Sequence, residues 1–258
     1  MESARRKDMR SIAYLPVGCI EQHGPFLPLE TDSLIAQETS RAITAGLKDR
    51  YYGYVFPALH YTPSQANANY CGTASIPDGS FRAYAQEICS AIMQSQFDAL
   101  VLIAGHAGAE SSLREIAFWL VNGQYCSGEK KVRPVFVVSI FEAAALIEEK
   151  FGQKSGRHAD WREFLLLYHI LGRRYFTDEK LRQMKAFHAD NTFTIITSRI
   201  YGVPMEYRST EGVLGEPLPF FSDKYEETSS MLWEFLIANL TQKIADELDG
   251  FWAGPFAS

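Results

Sequence analysis

Three short segments of the chain hold residues whose types and spacing suit chemistry. The first runs Glu21-Gln22-His23-Gly24-Pro25-Phe26-Leu27-Pro28-Leu29-Glu30-Thr31-Asp32. A Glu and a His two residues apart in an extended loop share one side, because side chains there alternate with period two. Asp32 follows at the mouth of the next expected helix, across a loop stiffened by Pro25 and Pro28. Carboxylate, imidazole and carboxylate on a rigid loop suit a hard or borderline divalent metal ion. Each residue also has an ordinary reading. Asp32 suits the N-cap of a helix beginning Ser33-Leu34-Ile35, and Glu21 and His23 suit a surface loop. The three together, at the end of a strand, point to metal binding.

The second segment is Gly105-His106-Ala107-Gly108-Ala109-Glu110. Its small residues let the His106 imidazole approach an ion or a substrate without obstruction. The third is Gly156-Arg157-His158-Ala159-Asp160-Trp161-Arg162-Glu163, with His158 before a helix and Glu163 in its first turn. Its ordinary reading is a helix start capped by Asp160, with Glu163 at the third position. Beside two other metal-type loops, a functional reading competes with that one. His60, His169 and His188 have no comparable context, and His169 lies in a leucine-rich helix where a structural role is expected. Trp233, Phe235 and Leu236 read as core or subunit interface rather than a cofactor box. The four cysteines (Cys19, Cys71, Cys89, Cys126) show no CxxC or short-pair spacing, which disfavours a disulfide framework or a zinc-thiolate knuckle. They read as buried apolar residues. No Walker A, post-strand GxGxxG or GxSxG pattern occurs, which disfavours nucleotide-driven and serine-hydrolase chemistry.

These segments need elements to position them. Ser11–Cys19, Tyr51–Pro57, Asp98–Ala104 and Val135–Phe141 read as strands. Helical patterns cover Asp32–Leu47, Phe81–Ile92, Glu110–Val121, Trp161–Arg173 and Lys224–Leu248. Strands separated by such helices predict parallel strand-helix-strand units, hence an α/β fold: a three-layer α/β/α sandwich with a mainly parallel central sheet. Ligands in such folds collect at the carboxyl ends of strands, so the loops after Cys19, Ala104 and Phe141 are the ones that matter.

With 258 residues, no internal repeat and no compositional break, a single domain over residues 1–258 is expected. The 25 basic against 31 acidic residues leave a net charge of −6, and no basic stripe forms. The one basic cluster is Arg5-Arg6-Lys7, so a nucleic-acid partner is not expected. No run approaches a membrane span, and MESARRKDMRS lacks the apolar core of a signal peptide. A cytoplasmic protein without a membrane partner is the expectation.

The motifs also resemble those of a known family. PVGCIEQHGPFLPLETD (residues 16–32) resembles PxGxxEQHGPHLPLxTD, the signature of the creatininase (creatinine amidohydrolase) family. CGTASI at Cys71–Ile76 is similar to its PGTISL segment, and LVLIAGHAGAE to its strand leading into an NGHGGN loop. HADWREF is similar to its HAGxxET motif, and GVLGEPLPFF at Gly212–Phe221 to its GVxGDP turn. The matches run in family order from about residue 12 to 222. The first is highly specific, whereas CGTASI and HADWREF are weak by themselves.

The resemblance implies a three-layer α/β/α fold with two divalent metal ions per chain (Zn, Mn or Fe), usually in a homohexamer. Carried over by position, Glu21 and His106 would hold one ion, His23 the other, and Asp32 would bridge them. The fifth ligand in creatininase is a Glu two residues after the loop His, where this chain has Gly108. Glu163 is the preferred replacement and Glu110 the other candidate. His158 aligns with the catalytic His. The implied reaction is hydrolysis of a cyclic amide or formamide C–N bond of a small molecule, with water acidified by the ions and His158 relaying a proton to the leaving nitrogen. The loop here reads AGHAGAE, and Lys154 stands where the creatinine-binding Trp is expected, which counts against creatinine itself. Substrate-binding residues are not identified by motif; Asn67 and Asn69 in the polar segment Gln65–Tyr70 are candidates, with a plain surface loop as the other reading. Two alternatives stand beside the hydrolase. One is a non-catalytic, metal-binding family member. The other is a dinuclear phosphoesterase, for which Lys154, Arg157 and Arg162 are the nearest basic residues in sequence.

Overall fold

The structure, a computed structural model, describes residues 9–127, 132–155, 158–191 and 204–254. Arg5-Arg6-Lys7, Gly156 and Arg157 lie outside these. Four strands, β1 (Ser11–Val17), β2 (Tyr52–Val55), β3 (Ala99–Ala104) and β4 (Val135–Ser139), form one parallel sheet in the order β2-β1-β3-β4. β1 and β3 are buried throughout and, but for Ser11, near-continuous apolar runs, because both of their faces are covered. Ile12, Tyr14, Val101 and Ile103 face one side, where they meet helices α1 (Thr31–Gly46), α5 (Trp161–Tyr175) and α7 (Tyr225–Ala253). Ala13, Leu15, Leu100 and Leu102 face the other, against α2 (Asp78–Gln94) and α3 (Glu110–Cys126). The result is a three-layer α/β/α sandwich with a parallel centre.

Register decides what happens at the sheet's edge. Val17 pairs with Ala104 and Ala104 with Ser139, so β1, β3 and β4 finish level with one another. The chain leaves β1 outward to β2, then returns to lay β3 on the other side of β1. The crevice between the ends of β1 and β3 is therefore the switch point of the sheet, the place where open α/β folds gather ligands.

The observed elements differ from the sequence expectations in instructive places. The run Val135–Phe141 stops being a strand at Ser139, whose hydroxyl accepts from Phe141 N at 3.2 Å while Ser139 N donates to Glu142 Oε1 at 3.2 Å. That Ser-x-x-Glu box starts a 3-10 turn (Ile140–Ala143), and the short helix α4 (Ala144–Phe151) follows. Helix α6 (Asp178–Asp190) has only Leu181 and Met184 buried, too thin a stripe to show as a periodicity. Helices α3 and α7 run past their expected ends to Cys126 and Ala253. Among the described residues no helix is long and apolar enough to cross a membrane.

Candidate metal centre

The loop after β1 folds back on itself, with Glu21 N donating to Leu29 O at 3.0 Å, and delivers the chain into α1. The N-cap of α1 is Glu30, without a side-chain cap bond. Asp32 is thus the second residue of the helix and does not cap it. Its carboxylate turns toward two imidazoles. Gly105, just after β3, makes this possible: a Cβ there would lie 2.5 Å from Asp32 O and 2.8 Å from Ala36 Cβ. Only a residue without a side chain lets the end of β3 approach α1 closely enough to bring His106 onto Asp32.

The structure brings Glu21, His23, Asp32, His106, His158 and Glu163 into one cluster. Asp32 Oδ1 lies 3.1 Å from His23 Nε2, and Asp32 Oδ2 lies 2.9 Å from His106 Nδ1. Glu21 Oε1 lies 3.4 Å from His106 Nδ1, 3.6 Å from His158 Nδ1 and 3.9 Å from His23 Nε2. Glu163 Oε2 reaches His23 Nε2 at 3.7 Å. The His23 and His158 rings sit 4.5 Å apart. Glu21, His23, Asp32 and Glu163 are only 1 %, 1 %, 2 % and 2 % exposed.

Three carboxylates at that depth are costly unless cations face them, and the side chains share the load unevenly. Burial opposes ionisation of Glu21, but His106, His158 and His23 outweigh it and hold its carboxyl well below the usual range. Asp32 is likewise lowered, against burial, by His23 and His106. Burial would lower His23, yet Asp32, Glu163 and Glu21 push it up to about 10. His106 is raised in the same way, chiefly by Glu21 and Asp32 against burial. His158 goes the other way: burial, and then the neighbouring His23, bring it down to about 4. Burial pushes Glu163 up to about 8 despite His23. At neutral pH, then, His158 is a neutral imidazole and Glu163 is mostly the protonated, uncharged acid.

A ring of polar groups holds these side chains in place. Ser64 Oγ and Asn67 Nδ2 both donate to Glu21 Oε2, the latter at 2.9 Å. His106 Nε2 lies 2.9 Å from the carbonyl of Pro63, which fixes Nε2 as the protonated nitrogen and leaves Nδ1 facing the carboxylates. Gln22 uses both amide hydrogens, donating to Asn67 Oδ1 and to His158 Nε2 at 2.9 Å each, while its Oε1 accepts from Gly24 N. His158 O accepts from Leu214 N at 3.0 Å, so the GVLGEP turn packs against it. The start of α5 combines a helix cap with an approach to the cluster. Asp160 caps the helix by accepting from Arg162 N and Glu163 N, and Glu163 reaches His23 while accepting from Ala159 N at 2.6 Å.

Other expectations need correction. Asn67 is not free to meet a substrate, since it is buried against Glu21 and Gln22, and Asn69 pairs with Glu206 at the surface. Glu110 accepts from Ser139 and lies 3.6 Å from Arg114, apart from the cluster. Cys71 and Cys126 are exposed, so only Cys19 and Cys89 are buried. Lys154 pairs with Glu148 at 3.2 Å, and Arg162 stacks its guanidinium over Phe141 at 5.1 Å. Ser64 and the Pro63 carbonyl carry no sequence signal because their partners lie far away in the chain, and the polar segment that marked Asn67 gave no hint of its bond to Glu21. Gln22, set between Glu21 and His23 on a rigid loop, did offer one. The apolar groove lined by Ala117, Phe118, Val121, Val135 and Phe251, about 500 Å³, shares no residue with the cluster.

The fold and this buried oxygen-and-nitrogen donor set define a class: a three-layer α/β/α protein with a carboxylate–imidazole site at its switch point. Within that class the chain belongs to the creatininase family of hydrolases, whose model, described as creatinine amidohydrolase, matches residues 1–243. Among curated proteins it is 33 % identical over 105 residues to the mycofactocin precursor peptide peptidase of Mycobacterium ulcerans (strain Agy99), a match covering 39 % of this chain and 42 % of that protein. The chain therefore matches less than half the length of that relative. Among solved structures it is similar to a manganese creatininase, with TM-score 0.75, 18 % identity and coverage of 95 % of this chain and 94 % of that one. It is also similar to a mutant creatininase of Zn-Zn type, with TM-score 0.71, 18 % identity and coverage of 92 % and 90 %.

Proposed function

We propose that the chain is a metal-dependent amidohydrolase with two divalent ions, Zn, Mn or Fe, at this cluster. Glu21, His106 and Asp32 would hold one ion, and His23, Glu163 and Asp32 the other. The observation that carries this reading is the Asp32 carboxylate, which turns one oxygen to His23 and the other to His106. The donors suit the group: carboxylate oxygens and imidazole nitrogens, with the Cys19 sulfur beside them, fall into overlapping sets whose ligand atoms lie within 4.8 Å of one another. Divalent ions bound there would acidify a water and polarise an amide carbonyl.

The remaining chemistry belongs to the chain's own residues. His158 is neutral and oriented by Gln22, which suits it to take a proton and pass it to the leaving nitrogen. Ser64 and Asn67 keep Glu21 aimed into the cluster. Lys154, at the position of the creatinine-binding Trp, is exposed and ion-paired, so no ring stacks on a creatinine there. The substrate we propose is therefore another amide: a cyclic amide, a formamide or, as the name of the mycobacterial relative favours, a peptide bond. A homo-oligomer acting on it outside the membrane completes the reading.

The test is metal content per chain on protein purified without a metal-binding tag. About two equivalents, with amide hydrolysis lost to chelator and restored by metal, is the expected result. Fewer than two ions and no hydrolysis would leave the non-catalytic reading. No ion after reconstitution would overturn the metal centre.

A further inference from the structure

Cys19 is fully buried, yet it belongs to neither apolar cluster of the core. Cys89, the other buried cysteine, lies among Phe81, Ala85, Ile92 and the residues of β3, as an inert apolar thiol does. Cys19 instead leaves β1 beside charged groups. Its Sγ, a carboxylate oxygen each of Glu21 and Asp32, and a ring nitrogen of His106 all lie within 4.8 Å of one another. Its thiol also makes a long hydrogen bond, 4.0 Å to Thr62 O. Donors around a single ion at bonds of about 2.0–2.3 Å must lie that close to one another. His106 is arranged as a ligand would be, with Nε2 tied to Pro63 O and Nδ1 turned inward.

We propose that Cys19 supplies a thiolate to the ion held by Glu21, Asp32 and His106, and that this sulfur makes that position select zinc over manganese. The inference rests on the metal centre proposed above and makes its two positions unequal. The Cys19 position carries one soft donor, whereas His23, Asp32 and Glu163 offer only nitrogen and oxygen. Thiolate favours Zn²⁺ strongly over Mn²⁺, and carboxylate with imidazole does so far less. On coordination the sulfur–metal bond forms and the thiol proton leaves to solvent, with no change of oxidation state.

The full chain, stripped of metal and titrated with Co²⁺, tests this directly. A sulfur-to-cobalt charge-transfer band in the near ultraviolet is expected in the unaltered protein and in Cys89→Ser, and absent in Cys19→Ser. In Zn²⁺/Mn²⁺ competition, Cys19→Ser should lose at least about tenfold of its preference for zinc, a loss that even outer partners of a metal can cause. Should Cys19→Ser fail to fold, X-ray absorption on the zinc-loaded unaltered chain decides alone, by a zinc–sulfur shell at about 2.3 Å. Metal bound without any sulfur signature would overturn the thiolate and leave the metal centre standing. Failure to bind Co²⁺, Zn²⁺ or Mn²⁺ at all would overturn both.

Discussion

Oδ2 of Asp32 lies 2.9 Å from Nδ1 of His106, a residue 74 positions further along the chain. The other oxygen of the same carboxylate is occupied by His23. One imidazole arrives from the loop after β1 and the other from the end of β3, and the second residue of α1 stands between them. The two halves of the site meet on a single side chain.

Asp32→Asn should therefore disable both halves at once. An amide carries no charge, and its nitrogen cannot accept from either imidazole. Metal content should fall below about one ion per chain, with hydrolysis at background. Removing one partner of a buried ionic cluster costs about 3–5 kcal/mol, so denaturant midpoints of the stripped protein should fall as well. Two ions and unchanged stability in this variant would remove Asp32 from the centre.

His158 and Gln22 should separate turnover from metal binding. His158→Ala should keep its ions and lose about 10²- to 10⁴-fold in kcat, the usual share of a positioned acid–base group. Gln22→Ala deletes only the bond that orients the ring, worth about 1 kcal/mol. A few-fold loss in kcat with metal content unchanged is expected. Normal turnover in His158→Ala would refute its role as proton relay.

Metal uptake by the stripped protein should strengthen as pH rises. His23 and His106 are raised and Glu163 is pushed up to about 8, so near pH 7 each still holds a proton that an incoming ion must displace. Each displaced proton raises the apparent affinity by up to about tenfold per pH unit. The dependence should be steepest below pH 8 and relax above it, once Glu163 has ionised. Zinc titrations against a competing chelator between pH 6 and 9 measure the slope. A flat profile would contradict the arrangement of charges described here.

Gly105→Ala should damage the site from behind. Its Cβ would press on Asp32 O and Ala36 Cβ, and overpacking of this kind costs about 1–3 kcal/mol. Gly123→Ala is the matched control, because it lies within α3 with nothing near its Cβ position. That change should stabilise by up to about 1 kcal/mol through helix propensity. Equal effects of the two in denaturant melts would mean that the contact between β3 and α1 is not tight.

Much of this was legible along the chain. Apolar runs and helical spacing announced a parallel α/β sandwich, the EQHG and GHAG segments announced donors at strand ends, and HADWRE announced donors at a helix start. Those signals are local: a period of two or 3.6 residues, a proline-stiffened loop, a donor of known hardness. The end of β4 was legible too, in the Ser139-x-x-Glu142 box, but its apolar run masked it.

Other features exist only once the sheet has closed. Register set β1 and β3 level, and with the close approach at Gly105 that carried His106 to Asp32. The sequence determined which donors the protein owns and which strands and helices present them. The tertiary structure decided that Asp32 faces two imidazoles instead of capping α1, and that Glu163, not Glu110, joins them. It decided that Asn67 serves Glu21, and that Cys19 sits beside Glu21, Asp32 and His106 rather than in either apolar cluster. Burial keeps His158 neutral, whereas Asp32, Glu163 and Glu21 hold His23 cationic against burial, although both are histidines beside carboxylates. Donor identity is written residue by residue, whereas mutual distance and desolvation arise from contacts between segments far apart in the chain.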